Sequence, residues 1–254
     1  MFEVRAIGFV ESCFPDKFGV PRQGHVTPSA MATLRILPAF QPEFSLSGLE
    51  GFSHVWILFH FHLNSNKVFT AKIHPPRLEG QSIGVFATRS PHHPNAIGMT
   101  LAKIERFESD AVVVSGMDLV DGTPVIDIKP YVPESDRPNE YRGGWTQEVI
   151  SKDLTVAWSD EAENTLMKLA TSDQKQASNS RECSDPTKIK TLFAELAKED
   201  PRPLVYRGAS AAEKGYRQTH YVRLYQWDIG FVFDEPNQLI KVVEFKKFKL
   251  QSSE

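Results

Sequence analysis

The sequence is poor in cysteine and has no long apolar run, and both absences narrow the classes of protein to which it can belong. Two cysteines in 254 residues, Cys13 and Cys183, are too few for a disulfide framework or a four-thiolate zinc site. No apolar stretch approaches the roughly 20 residues of a membrane-spanning helix, and the N-terminus lacks a signal-peptide pattern. We therefore expect a cytoplasmic protein that contacts no membrane.

A strong charge bias and a dinucleotide-binding motif are also missing. The net charge is −3, so the whole chain does not have the basic character of many nucleic-acid-binding proteins. Only residues 201–254 carry more Lys and Arg (9) than Asp and Glu (6), and this part could contact RNA. Because no Gly-x-Gly-x-x-Gly pattern occurs, a Rossmann-type nucleotide-binding fold is disfavoured.

Residues up to about Trp158 have the pattern of an all-β domain. Short runs rich in Val, Ile and Phe alternate with Gly, Pro and Asp turns, and long helical periodicity is absent. Many strands at short spacing favour a closed barrel or a sandwich, both of which reduce the number of exposed strand edges. Val55–Phe61 is apolar on both faces and should be buried on both. The clearest predicted strands are Phe2–Val10, Val55–Phe61, Ile83–Ala87, Ala111–Met117 and Leu154–Trp158.

After Trp158 the sequence predicts two helices. Asp160 can cap the first, since Glu163 and an apolar run follow it. Asp185-Pro186 can start the second, which we expect to end at Asp200-Pro201. The polar residues 171–185 between them are expected to form an exposed loop.

Two strands are expected near the C-terminus, around Tyr221–Trp227 and Leu239–Phe248, with a turn at residues 234–237. The predicted fold class is therefore α+β. It comprises an N-terminal all-β domain, a closed barrel or a sandwich, over residues 1–158 and a small C-terminal α+β domain over residues 159–254.

The most informative segment runs from Ile83 to Gly98 and reads Ile-Gly-Val-Phe-Ala-Thr-Arg-Ser-Pro-His-His-Pro-Asn-Ala-Ile-Gly. An apolar run leads into Arg89, which we expect to be buried. The two prolines around two histidines can form neither a helix nor a central strand, because proline lacks the backbone donor. They predict a rigid loop at a strand end, where binding and catalytic groups commonly lie.

Ala-Thr-Arg-Ser-Pro followed by Pro-Asn-x-Ile-Gly-Met resembles a motif of the tRNA-methyltransferase O family (TsaA-like proteins), which binds S-adenosylmethionine on a β-barrel. Further segments match in the family's order along nearly the whole chain, namely Val20–Gln23, Leu49–Leu58, Met117–Val125, Asp127–Tyr131 and Asp200–Pro203. The resemblance implies S-adenosylmethionine-dependent methylation of N6 of N6-threonylcarbamoyladenosine beside the tRNA anticodon. It also implies a homodimer that uses no metal.

The resemblance implies a cofactor site built partly from backbone groups, so several of its positions carry no chemical signature. Asp118 and Asp121 could offset the sulfonium and ammonium charges of the cofactor, although Asp-Gly at 121–122 is also typical of a turn. The implied cofactor-binding residues are Gly24, His25, Val26, His62, Leu63, Arg89, Leu101, Asp118, Leu119, Val120 and Asp121.

An RNA contact is predicted for Arg202, Tyr206 and Arg207, which follow the second helix. Arginine binds phosphate and tyrosine can stack on an unpaired base, although a solvated turn explains the same residues. No residue can be assigned as a general base.

The chain departs from the family pattern in its most informative loop. His93 stands where the family usually has Arg, which replaces a permanent cation by a titratable ring. Ala96 stands where the family usually has Pro. Gly24-His25 also replaces the usual Pro-Gly. Because of the changes at positions 93 and 96, a non-catalytic RNA-binding module of the same fold is an alternative function.

A metal-dependent hydrolase is the second alternative. His60 and His62 are two apart in a predicted strand and would point to one face, with His74, His92 or His93 completing a metal site. No acidic ligand stands at a recognisable spacing, so histidines that satisfy core hydrogen bonds explain the pattern better.

Overall fold

The computed structural model describes residues 3–65, 68–75, 78, 81–148, 154–172, 180–202 and 219–248. The strands of these residues are β1 (Gly8–Ser12), β2 (Met31–Ile36), β3 (His54–His60), β4 (Lys72–Ile73), β5 (Ile83–Gly84), β6 (Ile97–Phe107), β7 (Ala111–Ser115), β8 (Pro124–Pro130), β9 (Thr155–Trp158), β10 (His220–Leu224), β11 (Trp227–Asp234) and β12 (Leu239–Lys247). The α-helices are α1 (Pro42–Ser45), α2 (Pro133–Asp136), α3 (Asp160–Ser172) and α4 (Pro186–Ala197). In these described ranges no helix has the length and apolar character needed to cross a membrane.

Six strands close into a barrel in the order β1-β2-β7-β6-β3-β8. β3 is central to it, because it pairs antiparallel with β6 on one side and with β8 on the other. Its inward side chains Val55, Ile57 and Phe59 are buried, and β7 is buried along its whole length. The barrel, together with a separate sheet and helices, confirms the predicted α+β class.

The expectation that β3 is buried on both faces is wrong. Residues alternate along this strand, so Val55, Ile57 and Phe59 face the barrel core while Trp56 and Leu58 are half-buried on the outer face. One face of the strand therefore packs in the barrel core, and the other face is apolar but only half-buried.

Gly98 allows β3 and β6 to approach closely at the start of β6. It pairs with Phe59, and a side chain at position 98 would overlap the Phe59 ring. The glycine in the Ile-Gly-Met segment is therefore explained by packing.

The other predicted barrel strands are displaced or shortened. The predicted strand Phe2–Val10 is observed as Gly8–Ser12, and Ile83–Ala87 is wrong beyond Gly84, where a 3-10 helix at Val85–Ala87 takes over. The strand predicted at Ala111–Met117 ends at Ser115, since Gly116 adopts a φ of 73°.

A second sheet has the order β10-β11-β12-β9. The strand predicted at Leu154–Trp158 is β9, and it pairs in parallel with β12 rather than joining the barrel. Three strands replace the two predicted near the C-terminus, because Tyr225 turns the chain between β10 and β11 with a φ of 56°. A non-glycine residue in this left-handed conformation gave no turn signal in the sequence.

The two predicted helices are confirmed, with differences at their ends. For α4 the Asp185 side chain accepts from the Thr187 and Lys188 amides, as expected of an N-cap, but the helix ends at Ala197, before Asp200. For α3 the cap is one residue earlier than predicted, because the Ser159 hydroxyl oxygen accepts from the Ala162 amide. Of the loop predicted at 171–185, residues 171 and 172 belong to α3, where the prediction is wrong, and residues 173–179 lie outside the described residues.

The chain divides into two compact units, each built from several segments. The first comprises residues 1–11, 33–115 and 122–150, and the second comprises residues 12–32, 116–121 and 151–254. The predicted boundary near residue 158 stays a prediction.

Candidate functional site

In the second unit, a short 3-10 helix spans Gly24–Val26 and is tied to the chain around Met117. The Thr27 hydroxyl donates to the Met117 carbonyl at 3.0 Å, and the Met117 amide donates to the Ala30 carbonyl at 3.3 Å. Gly116 lies against the Gly24 carbonyl, since a Cβ at position 116 would be 3.6 Å from that oxygen. The structure therefore brings Gly24–Val26 together with the start of the Asp118–Asp121 segment.

The backbone of Asp118–Asp121 is held by Ser12 and Phe14. The buried Ser12 hydroxyl donates to the Leu119 carbonyl at 2.7 Å, and the Asp121 amide donates to the Phe14 carbonyl at 2.8 Å. Leu119 is 2% exposed and serves as an anchor, while Asp118 and Val120 on either side are half-buried. The buried Leu119 therefore fixes the backbone of this segment, while the neighbouring Asp118 stays partly accessible to a ligand.

Asp121 has a structural role of its own. Its Oδ1 accepts from the Ser12 amide at 3.0 Å and from Arg181 Nε at 2.8 Å, and Gly122 follows with a φ of 76°. The Gly122 conformation fits the turn expected of an Asp-Gly pair, whereas the carboxylate bonds an amide 109 residues away and an arginine instead of its local backbone. Of the two aspartates, Asp118 carries the stronger case for a ligand contact.

In the first unit, the turn after β3 places His62 and Leu63 against the proline-rich loop. The Phe61 amide donates to the Ala96 carbonyl at 2.9 Å, and Asn64 Nδ2 donates to the Pro91 carbonyl at 2.7 Å. Two hydrogen bonds, from Phe61 and Asn64, therefore connect the turn that contains His62 and Leu63 to the loop at residues 88–96. This loop is neither helix nor strand, which confirms that prediction.

Internal bonds further stiffen the loop. His93 Nε2 lies 3.0 Å from the Thr88 carbonyl oxygen, a geometry in which the ring nitrogen donates, and Thr88 Oγ1 donates to the Val85 carbonyl at 2.7 Å. His93, where the family usually has Arg, thus closes the loop on itself. Arg89 is exposed, so the expectation of a buried arginine is wrong.

Ala96 adopts a φ of 46°, and its amide donates to the His93 carbonyl at 3.0 Å. Proline could do neither, because its ring fixes φ near −65° and it has no N–H. The proline that the family usually carries here would therefore impose a different backbone on this loop.

Leu101 lies elsewhere on the barrel wall. It pairs with Trp56, four positions along β6 from the pair formed by Ile97 and His60, a separation of roughly 13 Å at the usual rise of a strand. Its side chain is half-buried on the outer face. The structure does not bring Leu101 to the end of β3 where His62 lies.

The histidines near the end of β3 are not arranged as the sequence predicted. β3 ends at His60, and the His62 amide donates to the His60 carbonyl at 2.8 Å, so the premise that both stand in one strand is wrong. Burial, with a smaller contribution from His60, lowers the pKa of His62, which favours its neutral form at pH 7. Among the described residues no group of three or more His, Cys, Asp or Glu could hold a metal ion.

Arg202 lies in a buried ion pair. Its guanidinium donates through Nε and Nη2 to the two carboxylate oxygens of Asp200 at 2.9 Å each, and through Nη1 to Glu235 at 2.9 Å. It stacks over the Phe233 ring at 3.6 Å, and the residue is 6% exposed. A phosphate contact would require this arrangement to open. Tyr206 and Arg207 lie outside the described residues, so the RNA contact of this segment stays a prediction.

Asn64 is a site residue that the sequence did not indicate. Its side-chain amide joins the β3 turn to the Pro91 carbonyl, and its only sequence signal is an amide in a turn. A contact 27 residues away in the chain has no local pattern from which it could be predicted.

Fold and site together define an α+β protein that presents ordered polar loops on a closed barrel, a class distinct from the α/β methyltransferases with a nucleotide-binding crevice. The model of the tRNA-methyltransferase O N-terminal domain matches residues 9–137. The chain belongs to the tRNA-methyltransferase O family.

The chain is similar in sequence to several known proteins. It is 57% identical over 134 residues to a mouse tRNA (adenine(37)-N6)-methyltransferase, covering 52% of this chain and 31% of the mouse protein. It is 38% identical to the putative S-adenosylmethionine-dependent methyltransferase RcsF of Pseudomonas aeruginosa, covering 95% and 96%. It is 34% identical to the tRNA (adenine(37)-N6)-methyltransferase of Escherichia coli strain K12, covering 85% and 88%.

The chain is also similar to solved structures over nearly its whole length. The crystal structure of TrmO from Pseudomonas aeruginosa is 33% identical, with a TM-score of 0.72 over 97% of this chain and 99% of that one. The chain spans about a third of the length of the mammalian relatives, and nearly the whole length of RcsF.

The conformation of Ala96 predicts opposite effects for two substitutions. Ala96→Pro should lower the free energy of unfolding by about 1–3 kcal/mol, because it loses the bond to His93 and cannot adopt the observed φ. Ala96→Gly should raise it by up to about 1 kcal/mol, since glycine adopts a positive φ without strain. Urea unfolding measures both.

Ala39→Gly is the matched control. Ala39 is exposed and has no positive φ, so glycine there should lower stability by roughly 0.5–1 kcal/mol. If glycine changed stability in the same direction at positions 39 and 96, the left-handed conformation of Ala96 would be wrong.

Proposed function

We propose that this protein methylates N6 of N6-threonylcarbamoyladenosine next to the anticodon of tRNA, with S-adenosylmethionine as methyl donor. The observation that carries the proposal is the match to the Escherichia coli tRNA (adenine(37)-N6)-methyltransferase along 88% of that protein. The named relatives support the tRNA, the adenine and the N6 position. The threonylcarbamoyl group rests on the family resemblance of the 83–98 segment.

The donor set around Asp118 fits the charges of S-adenosylmethionine. A carboxylate and nearby backbone carbonyls are acceptors for an ammonium group and offset a sulfonium. Asp118 is half-buried, and the Gly24 carbonyl lies close to the backbone two residues before it. When bound, the donor would supply a methyl group: the S–CH3 bond would break to leave a neutral thioether as the N6–CH3 bond forms, and the N6 proton would pass to water.

The residues proposed to contact the donor belong to both units. In the second unit they are Gly24, His25, Val26, Asp118, Leu119, Val120 and Asp121. In the first unit they are His62, Leu63, Arg89 and Leu101. Leu119 contributes backbone groups, since its side chain is buried.

A homodimer in the cytoplasm completes the proposal. The outer face of the β3–β6 ladder carries the half-buried Trp56 and Leu58 beside the exposed Ile97 and Met99, an apolar stripe that a second copy would cover. Sedimentation velocity measures this directly, and a monomer at micromolar concentration would remove the dimer.

Asp118→Asn should weaken binding of S-adenosylmethionine by tenfold or more. A lost charge-assisted bond is worth about 1.5–3 kcal/mol. Isothermal titration calorimetry gives the dissociation constant. The control is Glu50→Gln, which removes one charge from an exposed side chain and should leave binding unchanged. Equal affinities of the Asp118→Asn variant and the wild type would exclude the proposed ammonium or sulfonium contact.

The proposed reaction predicts a defined product in tRNA. Transfer RNA that contains N6-threonylcarbamoyladenosine, incubated with the protein and S-adenosylmethionine, should yield a nucleoside heavier by one methylene, detected by mass spectrometry of the digest. Transfer RNA without the threonylcarbamoyl group should yield no methylated product. Methylation of both RNAs would contradict the substrate, and methylation of neither, with the donor bound, would favour the non-catalytic RNA-binding module.

A further inference from the structure

Phe86 is an exposed aromatic side chain on an anchored turn. Its residue is 74% exposed, while Val85 before it is 1% exposed. The turn is held by the Val85 amide, which donates to the Ala71 carbonyl at 3.0 Å, and by the Thr88 amide, which donates to the Val85 carbonyl at 3.1 Å. The chain thus keeps a large apolar ring in water on a backbone that has little freedom to withdraw it.

A second aromatic residue reaches the same turn from a distant part of the first unit. Trp145, in a 3-10 helix at Gly144–Glu148, donates through its indole Nε1 to the Ala87 carbonyl at 2.9 Å, 58 residues away in the chain. The indole is half-buried, and its only polar atom is satisfied by this bond. Trp145 therefore holds the Phe86 turn through the carbonyl of the next residue, Ala87.

The ring of His93 lies against that of Phe86, and we define these two rings as the aromatic platform. The Phe86 and His93 rings meet edge to face, with centroids 5.6 Å apart and planes at 72°. His93 is in turn fixed by its ring nitrogen at 3.0 Å from the Thr88 carbonyl. The platform is thus preorganised, which reduces the entropy lost when a flat ligand stacks on it.

The charge around the platform favours an anion. No Asp or Glu occurs between Glu79 and Glu105, although the whole chain contains 32 of them. Arg89 and His92 in this stretch are exposed, while near Trp145 the exposed Arg142 is two residues from the exposed Glu140. An exposed phenylalanine ring and an exposed arginine in a loop without acidic residues fit single-stranded nucleic acid, whose bases stack while its phosphates bind cations.

We propose that the aromatic platform stacks on an unpaired base of the tRNA anticodon loop and so positions the loop for methylation. This rests on the proposed function for its RNA, and goes beyond it by naming the surface that holds a base. Phe86 and Trp145 act here as positioning residues. The exposed ring of Phe86 provides the stacking face, and Trp145 holds the turn.

Binding of a fluorescent anticodon stem-loop RNA, followed by anisotropy, tests the stacking. Phe86→Ala should raise the dissociation constant by roughly fivefold to a hundredfold, the range for loss of one stacked base. Phe86→Trp should bind at least as tightly as the wild type, because it keeps an aromatic face. Phe44→Ala, which removes another exposed phenylalanine (71%), should change nothing.

A double-mutant cycle with the RNA identifies the stacked base. Each loop position is replaced in turn by an abasic nucleotide and measured with the wild type and the Phe86→Ala variant. At one position the abasic RNA should bind the wild type more weakly and lose little further affinity for Phe86→Ala. Additive losses at every loop position would overturn the proposal.

Two outcomes separate this proposal from its neighbours. If the wild type methylates tRNA and Phe86→Ala binds the stem-loop as tightly as it does, the platform proposal fails and the proposed function stands. If Phe86→Ala becomes monomeric in sedimentation while the wild type is a dimer, a second copy covers the ring and the platform proposal is again wrong. Unchanged donor affinity and unchanged sedimentation of Phe86→Ala, with weaker RNA binding, support it.

Discussion

The hydrogen bond from the Phe61 amide to the Ala96 carbonyl, 2.9 Å long, is the constraint on which the candidate site in the barrel depends. It comes directly after the pair formed by His60 and Ile97, so the β3–β6 ladder continues beyond the barrel wall into the loop. The Asn64 side chain adds a second bond, to the Pro91 carbonyl. These two hydrogen bonds fix the loop to the end of a buried ladder, although the loop has no regular secondary structure of its own.

A loop held in this way can present groups that would otherwise lose too much entropy on binding. Every acceptor in this constraint is a backbone carbonyl, namely those of Ala96, Pro91 and Thr88, while the donors are the Phe61 amide and the side chains of Asn64 and His93. The same holds in the second unit, where Ser12 and Phe14 fix the segment from Asp118 to Asp121. Side-chain identity then matters at a few exposed positions, and these are where the proposed ligands are recognised.

The sequence was sufficient to predict an all-β domain, because turn residues and apolar runs at short spacing are local features, while the choice of a barrel over a sandwich came from the family resemblance. It was also sufficient for the helix start at Asp185-Pro186, whose cap is a contact within three residues. Features that depend on distant contacts could not be predicted. Tyr225 and Ala96 adopt positive φ values without the glycine or asparagine that usually announces them.

At the candidate site, too, local features were predicted and features that depend on distant contacts were not. The motif around Arg89 indicated a polar loop, but a prediction from apolar neighbours placed that arginine inside, and it is exposed. Arg202 is the opposite case: the sequence left a solvated turn and an RNA contact open, and the structure places the side chain in a buried ion pair with Asp200 and Glu235. Burial of a charged side chain is decided by partners that fold brings together, and Glu235 is 33 residues away in the chain.

Amide hydrogen exchange of Phe61, followed by nuclear magnetic resonance, tests most directly whether the barrel ladder extends into the loop. If it does, the Phe61 amide is protected to a degree similar to the amides that pair β3 with β6. The exposed His92 amide, whose acceptor is the Ser90 hydroxyl oxygen at 3.2 Å, exchanges faster. Exchange of Phe61 at the rate of an unstructured peptide, with the barrel amides still protected, would contradict the account.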